Sequence, residues 1–112
     1  MNDTAETLNA IIQKADIFIE DHGMLTAFLD CKLEWGNQGF GGYHLDEMTS
    51  PRLNFCGLFI RQCLEIAGVD HWHQLPGKCI RVKREAGLIK AIGHIVEDKW
   101  FEPRKVFEEI GK

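Results

Sequence analysis

The stretch from Leu33 to Asp46, LEWGNQGFGGYHLD, constrains the fold more than any other part of the chain, because it holds four of the eleven glycines (Gly36, Gly39, Gly41, Gly42). Ahead of it, Ala27, Leu29, Cys31 and Leu33 alternate with Phe28, Asp30, Lys32 and Glu34; behind it, Phe40, Tyr43 and Leu45 are mixed with Gly and His. Alternation on a period of two means extended chain with one buried face. Gly36-Asn37-Gln38-Gly39 between two such runs reads as a four-residue hairpin connection, since Gly and Asn supply the positive φ of a tight reversal. Gly41-Gly42 needs a further reason, because a glycine within a strand costs roughly 0.5–1 kcal/mol relative to Ala. Two reasons stand open: a bulged strand over which a helix packs, or close approach of a bound ligand or partner to the backbone beside Tyr43 and His44.

The remaining segments supply partners for this hairpin. Asp3-Thr4-Ala5-Glu6 has the form of a capping box, and Leu8, Ile11 and Ile12 follow at helical spacing. These residues predict a short N-terminal helix over Thr4 to Lys14, with residues 1–15 as a helical extension of one domain spanning 1–112. Asp16 to Glu20 reads as a first strand, Met24 to Glu34 as a second and Phe40 to Leu45 as a third, in an antiparallel meander. Ser50-Pro51 is an N-cap followed by Pro at the first helical position, and predicts the main helix over 51–67 with Gly68 just past its end. Leu53, Phe55, Leu58, Phe59, Cys63, Leu64, Ile66 and Ala67 form its apolar face. Asp70 to Leu75 reads as one capped turn anchored by Trp72 and Leu75. Lys78 to Arg84 and Leu88 to Val96 read as a fourth and a fifth strand. Pro103 opens a C-terminal helix with Val106, Phe107 and Ile110 inward. The sum is an α+β domain: about five antiparallel strands on one main helix, with short helices at both ends.

A chain of 112 residues is one domain with room for a single core. Its 45% hydrophobic and 27% charged composition is that of a globular protein. No apolar run approaches the ~20 residues of a membrane span, and the polar start MNDTAETLNA is unlike a secretory signal; the expectation is a soluble intracellular protein. Cys31, Cys56, Cys63 and Cys79 are irregularly spaced and read as free thiols, three of them buried. A net charge of −4 argues against non-specific nucleic-acid binding by the whole molecule. The bases are concentrated between Lys78 and Lys90, where Lys78, Arg81, Lys83, Arg84 and Lys90 are accompanied by the single acid Glu85.

Several chemistries can be weighed on these residues. The glycines lie between two strands, not between a strand and a helix, so they make no dinucleotide fingerprint; Gly77-Lys78-Cys79 makes no phosphate loop. His71 and His73 straddle Trp72 without the paired spacing of a zinc site, and read as solvated imidazoles. Cys56 or Cys63 with His94 and Asp98 would be needed for nucleophilic catalysis, but cysteines on the inner face of a helix are inert core. The chain therefore reads as a non-enzymatic protein with no metal and no cofactor. An anion-binding groove is the remaining candidate. Arg81, Lys83 and Arg84 mark the exposed edge of one strand, Lys90 lies across the hairpin, Arg61 projects from the helix, and Tyr43, Trp72 and Trp100 offer faces for stacking. The competing reading is an ordinary charged hairpin face. Three Trp and seven Phe in so small a chain also point to an interface between copies of the protein.

Three blocks, GFGGYHLD (39–46), LFIRQCLEIAGVDHWHQLPGKCIRV (58–82) and AIGHIVEDKWFEP (91–103), resemble a family of short phage and prophage proteins. Its pattern has the form GFGGYxLD, FIRxxLExxGVxxWxxLPGKxIRV and IGHIxxDKWFxP. The resemblance covers most of residues 16–107 and leaves the first fifteen outside; the spacer between Asp46 and Leu58 is shorter than the pattern has it. Most members carry no assigned activity. Small phage proteins of this build are often inhibitors of host defence, and some, including the Thoeris anti-defence sponges, are oligomers that sequester a signalling nucleotide. The resemblance implies a phage protein acting in the cytoplasm of the infected bacterial host.

Together these readings give a host-defence inhibitor that forms a homo-oligomer and captures a small anionic, nucleotide-type signal. The expected site is Gly41 and Gly42 of the hairpin, with Tyr43 and Trp72 stacking and Arg61, Arg81 and Arg84 neutralising phosphate. Two alternatives remain open. One is an anti-CRISPR-like inhibitor that docks on a host defence protein complex. The other is a phage accessory protein that touches nucleic acid through the basic hairpin.

Overall fold

A strand, not a helix, begins the described chain. The computed structural model describes residues 5–41 and 55–110. Its elements are β1 (Glu6–Ile19), β2 (Leu25–Leu33), β3 (Gly36–Gly41), α1 (Cys56–Ala67), a single 3-10 turn at Trp72–Gln74, β4 (Cys79–Glu85), β5 (Leu88–Gly93), β6 (Trp100–Phe101) and α2 (Pro103–Ile110). The six strands form one sheet in the order β3-β2-β1-β4-β5-β6, and every neighbouring pair is antiparallel. The class is α+β as expected, with six strands where about five were expected.

The largest correction is at the N-terminus. From Glu6 onward the segment expected as a helix over Thr4–Lys14 is the first half of β1, and the strand expected from Asp16 is its second half; Thr4 lies outside the described residues. Leu8 and Ile12 fit a helical stripe, but Leu8, Ala10 and Ile12 fit a period of two equally well, and long-range pairing decides between them. Leu8 lies opposite Val82 and Ala10 opposite Ile80 on β4, while Ile12 lies opposite Cys31 on β2. Ala10 and Ile12 are buried. Gln13 is skipped in the register with β2, so β1 bulges there and passes from β4 to β2.

Other boundaries shift for local reasons. Glu34 and Trp35 make the turn after β2, so Gly36-Asn37-Gln38-Gly39 lies inside β3 and is not the connection. β3 ends at Gly41; Gly42 to Leu45, the rest of the expected third strand, lie outside the described residues. The Ser50-Pro51 helix start and Leu53 also lie outside them. Phe55 is non-helical, with φ −100° and ψ 4°, and the described helix begins at Cys56. It closes as expected on left-handed Gly68, whose N–H donates to the Leu64 and Glu65 carbonyls. β5 ends at Gly93 and not Val96, because the His94 ring turns the chain by accepting the backbone N–H groups of Val96 and Glu97. The return is β6, with Phe101 opposite Ile92 and Trp100 opposite Gly93.

The core lies between α1 and the sheet. Phe59, Cys63 and Ile66 of α1 are buried against Leu29, Cys31, Ile80, Val82 and Ile92, and Leu75 seals one end. Phe59 stacks on Phe40 of β3, with ring centroids 5.6 Å apart, and meets Phe101 of β6 edge-on at 5.7 Å. Strands from opposite ends of the sheet thus close on one helix residue. The curl also brings β3 beside β5: Arg84 Nε donates to Gln38 Oε1 at 2.9 Å, and Gln38 Nε2 donates to the Gly87 carbonyl. On α2, Val106 and Phe107 pack against the core, and Phe107 stacks on Phe55 at 4.3 Å.

A central β1 makes a clear prediction. Ile12→Ala removes a fully buried side chain from the middle of the sheet and should destabilise the protein by about 2–5 kcal/mol in urea denaturation. A loss below ~0.5 kcal/mol, the size of a surface change, would mean that this segment is an extension outside the core, as the sequence suggested for residues 1–15.

Candidate functional site

The basic residues of β4 do not share one open face. β4 is an interior strand, flanked by β1 and β5, so Arg81, Lys83 and Arg84 do not form an exposed edge. Arg81 and Lys83 project to the side away from α1, since their neighbours Ile80 and Val82 are buried beneath it. Both meet Trp100. The Arg81 guanidinium carbon lies 4.8 Å, and Lys83 Nζ 4.2 Å, from the indole centroid. Trp100 lies flat on Gly93, where an added Cβ would sit 2.5 Å from the ring. Arg81 also donates through Nε to the His94 carbonyl and through Nη2 to the Glu97 carbonyl, both at 2.8 Å, and so pins the loop between β5 and β6.

Arg84 turns the other way. Beyond Lys83 the β4–β5 register slips, with Lys83 opposite Ala91 but Arg84 opposite Ile89. Arg84 then pairs with Glu6 at 3.0 Å, bonds Gln38, and lies 4.8 Å over the Trp35 ring. Arg61 is separate again, on the exposed face of α1, paired with Glu65 at 2.9 Å. Trp72 packs partly into the core, and its buried Nε1–H has no partner among the described residues. Of the expected ligand residues, Arg61, Trp72, Arg81 and Arg84 are therefore dispersed and already engaged in local structure. Gly42 and Tyr43 lie outside the described residues.

Gly41 does border a cleft. Its φ of +122° favours glycine, and an added Cβ would collide with the Ala27 carbonyl oxygen; a Cβ on Gly39 would collide with the Phe28 ring. Close approach of β2 thus accounts for both glycines without a ligand. Their other side opens on a space of about 300 Å³ between β3 and β5, lined by Gly39, Gly41, Leu88, Ile89, Lys90, Glu102 and Arg104. Lys90 is the extra residue that the β5 register slip leaves unmatched, and a bulge of this kind re-aims a side chain. Arg104 follows Pro103 in the first turn of α2. Neither Lys90 nor Arg104 has an ion-pair partner among the described residues, whereas Glu102 lies 3.7 Å from Lys105. The cleft combines Lys90 and Arg104 with one carboxylate, Glu102, and the backbone of a glycine-rich strand.

The sequence reads Gly36 to Gly39 as a turn and only Phe40 onward as strand; it places Lys90 across the hairpin and gives no role to Arg104. The available signal was Pro103-Arg104, which sets a cation in the first helical turn directly after the last strand.

A second concavity, of about 480 Å³, lies on the side of the sheet away from α1 and is bordered by Ile11, Lys32, Leu33, Glu34, Cys79 and Ile95. Ile11 and Ile95 are both more than a third exposed there. Among the described residues there is no cluster of His, Cys, Asp and Glu able to hold a metal ion, and no helix long and apolar enough to cross a membrane.

No protein-family model matches the chain, and no curated protein matches it either.

None of the four cysteines is in a disulfide; Cys31, Cys56 and Cys63 are buried and Cys79 is exposed. Burial pushes the Cys31 thiol up to about 12, with the Asp30 carboxylate adding to the rise, and burial also raises Cys63. A thiol-specific reagent at pH 8 should therefore modify one cysteine rapidly in the native protein and four after unfolding. Rapid native modification of two or more would contradict this packing of α1 on the sheet.

Proposed function

We propose that the protein is a non-enzymatic binding protein that captures a small anionic ligand in the cleft between β3 and β5. The observation that carries this reading is that Lys90 and Arg104, which have no ion-pair partner among the described residues, line a space of about 300 Å³ together with the glycine-rich strand and one carboxylate, Glu102. That volume is at the small end of ligand sites. Arg104 can present a planar fork to phosphate and Lys90 a mobile point charge. The groove first expected between the glycine-rich hairpin and the basic strand moves accordingly, from Arg61, Arg81 and Arg84 to Lys90 and Arg104. With the resemblance to short phage proteins, the proposed role is a phage-encoded host-defence inhibitor in the bacterial cytoplasm that sequesters a nucleotide-type immune signal.

The second concavity favours one other reading: an inhibitor that docks on a host defence protein through apolar surface around Ile11 and Ile95. In that case no small molecule would be carried.

Native mass spectrometry before and after incubation with lysate from cells whose nucleotide-signalling defence is active distinguishes the two. The proposal expects a gain of a few hundred daltons per site. It also expects Lys90→Glu or Arg104→Glu to weaken capture at least tenfold, since a hydrogen bond to a charged group contributes about 1.5–3 kcal/mol. Capture that survives both reversals would overturn the site; no added mass, with a host protein retained instead, would favour the docking reading.

A further inference from the structure

Among the described residues, the second half of β1 has an unpaired edge. β1 pairs with β4 over Glu6 to Ile11 and with β2 from Ile11 to Ile19. The last bonds on the β4 side are from Ile12 N–H to the Lys78 carbonyl and from Gly77 N–H to the Ile12 carbonyl. Beyond them, no described strand flanks residues 13–19 on the side away from β2. Ile17, Phe18 and Ile19 are 38%, 42% and 64% exposed along this ribbon. Sheet edges are ordinarily protected by proline, charge or a covering segment. Here the charges are Lys14 and Asp16, and neither has an ion-pair partner among the described residues.

The direction of the free backbone groups can be read from the turn. Glu20 N–H donates to the Met24 carbonyl, and the Glu20 carbonyl accepts from Gly23 N–H, so Glu20 points into the β1–β2 hairpin. Alternation along an antiparallel strand then turns the N–H and C=O groups of Ile19, Ile17 and Ala15 outward. The outward bonds of Ile12 agree, because the skipped Gln13 shifts the alternation by one residue.

We infer that this edge pairs with the same edge of a second copy, antiparallel about a two-fold axis at Ile17. In this register Ile17 faces its own copy and Ala15 faces Ile19. All three outward-pointing residues then exchange backbone hydrogen bonds, and the six-stranded sheet continues across the dimer. On the alternate positions Lys14 lies opposite Glu20 and Phe18 opposite Asp16. Moving the axis to Asp16 would set two like carboxylates face to face, which is unfavourable. The Ile17 register brings exposed isoleucines together and satisfies the outward backbone groups of both copies, so the edge is self-complementary; the Glu20 carboxylate opposite Lys14 is already held in the turn by His22 and Met24. This assigns the expected homo-oligomer a specific surface, and it does not depend on the ligand cleft between β3 and β5, none of whose lining residues is on β1.

The test combines sedimentation with crosslinking. The protein should sediment as a dimer at micromolar concentration. Ile17→Pro removes an outward N–H that bonds nothing within the described residues, and Pro is tolerated at such edge positions. It should sediment as a folded monomer with an unchanged circular dichroism spectrum. As an independent readout that keeps the fold intact, Ile17→Cys in a Cys79→Ser background should crosslink to its copy with a short bis-maleimide. Thr7→Cys, on the part of β1 already paired with β4, should not. A monomer at 100 micromolar, or a dimer in which the Ile17→Cys variant stays uncrosslinked, would overturn the inference.

Discussion

Phe59 is the contact on which the arrangement depends. It lies on α1, is fully buried, and touches Phe40 from β3 and Phe101 from β6. Those strands stand at opposite ends of the sheet order. An open twisted sheet would leave its two ends far apart; a shared aromatic contact on one helix residue draws them together. The approach of β3 to β5 follows from this closure, as does the cleft between them. The hydrogen bonds from Arg84 to Gln38 and from Gln38 to Gly87 then fasten the same junction at the surface.

Charge in this protein divides into two kinds. Arg81, Lys83 and Arg84 lie against indole rings, and the two arginines are also fixed by hydrogen bonds to backbone or side-chain oxygens. To receive a phosphate, these arginines would have to abandon contacts that hold the β5–β6 loop and the β3–β4 junction. Among the described residues Lys90 and Arg104 have no comparable contacts to give up, and the one carboxylate beside them in the cleft is Glu102. This difference in commitment, more than the number of basic residues, places the proposed ligand at the cleft. Lys90 reaches it because a register slip in β5 displaces it from regular alternation.

Much of this was legible in the sequence. Strict alternation from Ala27 to Leu33 and from Ile80 to Val82 identified β2 and β4, and Gly68 and Pro103 marked a helix end and a helix start. What failed was decided by contacts remote in sequence. Leu8, Ile11 and Ile12 satisfy a helical period, and only the pairing of Leu8 with Val82, Ala10 with Ile80 and Ile12 with Cys31 makes that segment a strand. Gly36 to Gly39 resembled a turn because glycine serves both in turns and where strands crowd. The need at Gly39 comes from the Phe28 ring on the neighbouring strand, which no local pattern reveals. Likewise, the arginines of β4 looked available because the sequence does not show that Trp35 and Trp100 lie beneath them.

The most direct measurement of the central claim is a backbone NMR titration of the labelled protein with the molecule captured from defence-active lysate. Shifts concentrated at Gly39, Gly41, Leu88 to Lys90 and Arg104, with Arg81, Trp100 and Arg61 unmoved, are what a β3–β5 ligand cleft predicts. Shifts centred on Arg81 and Trp100, or spread over Ile11 and Ile95 with the cleft silent, would contradict it.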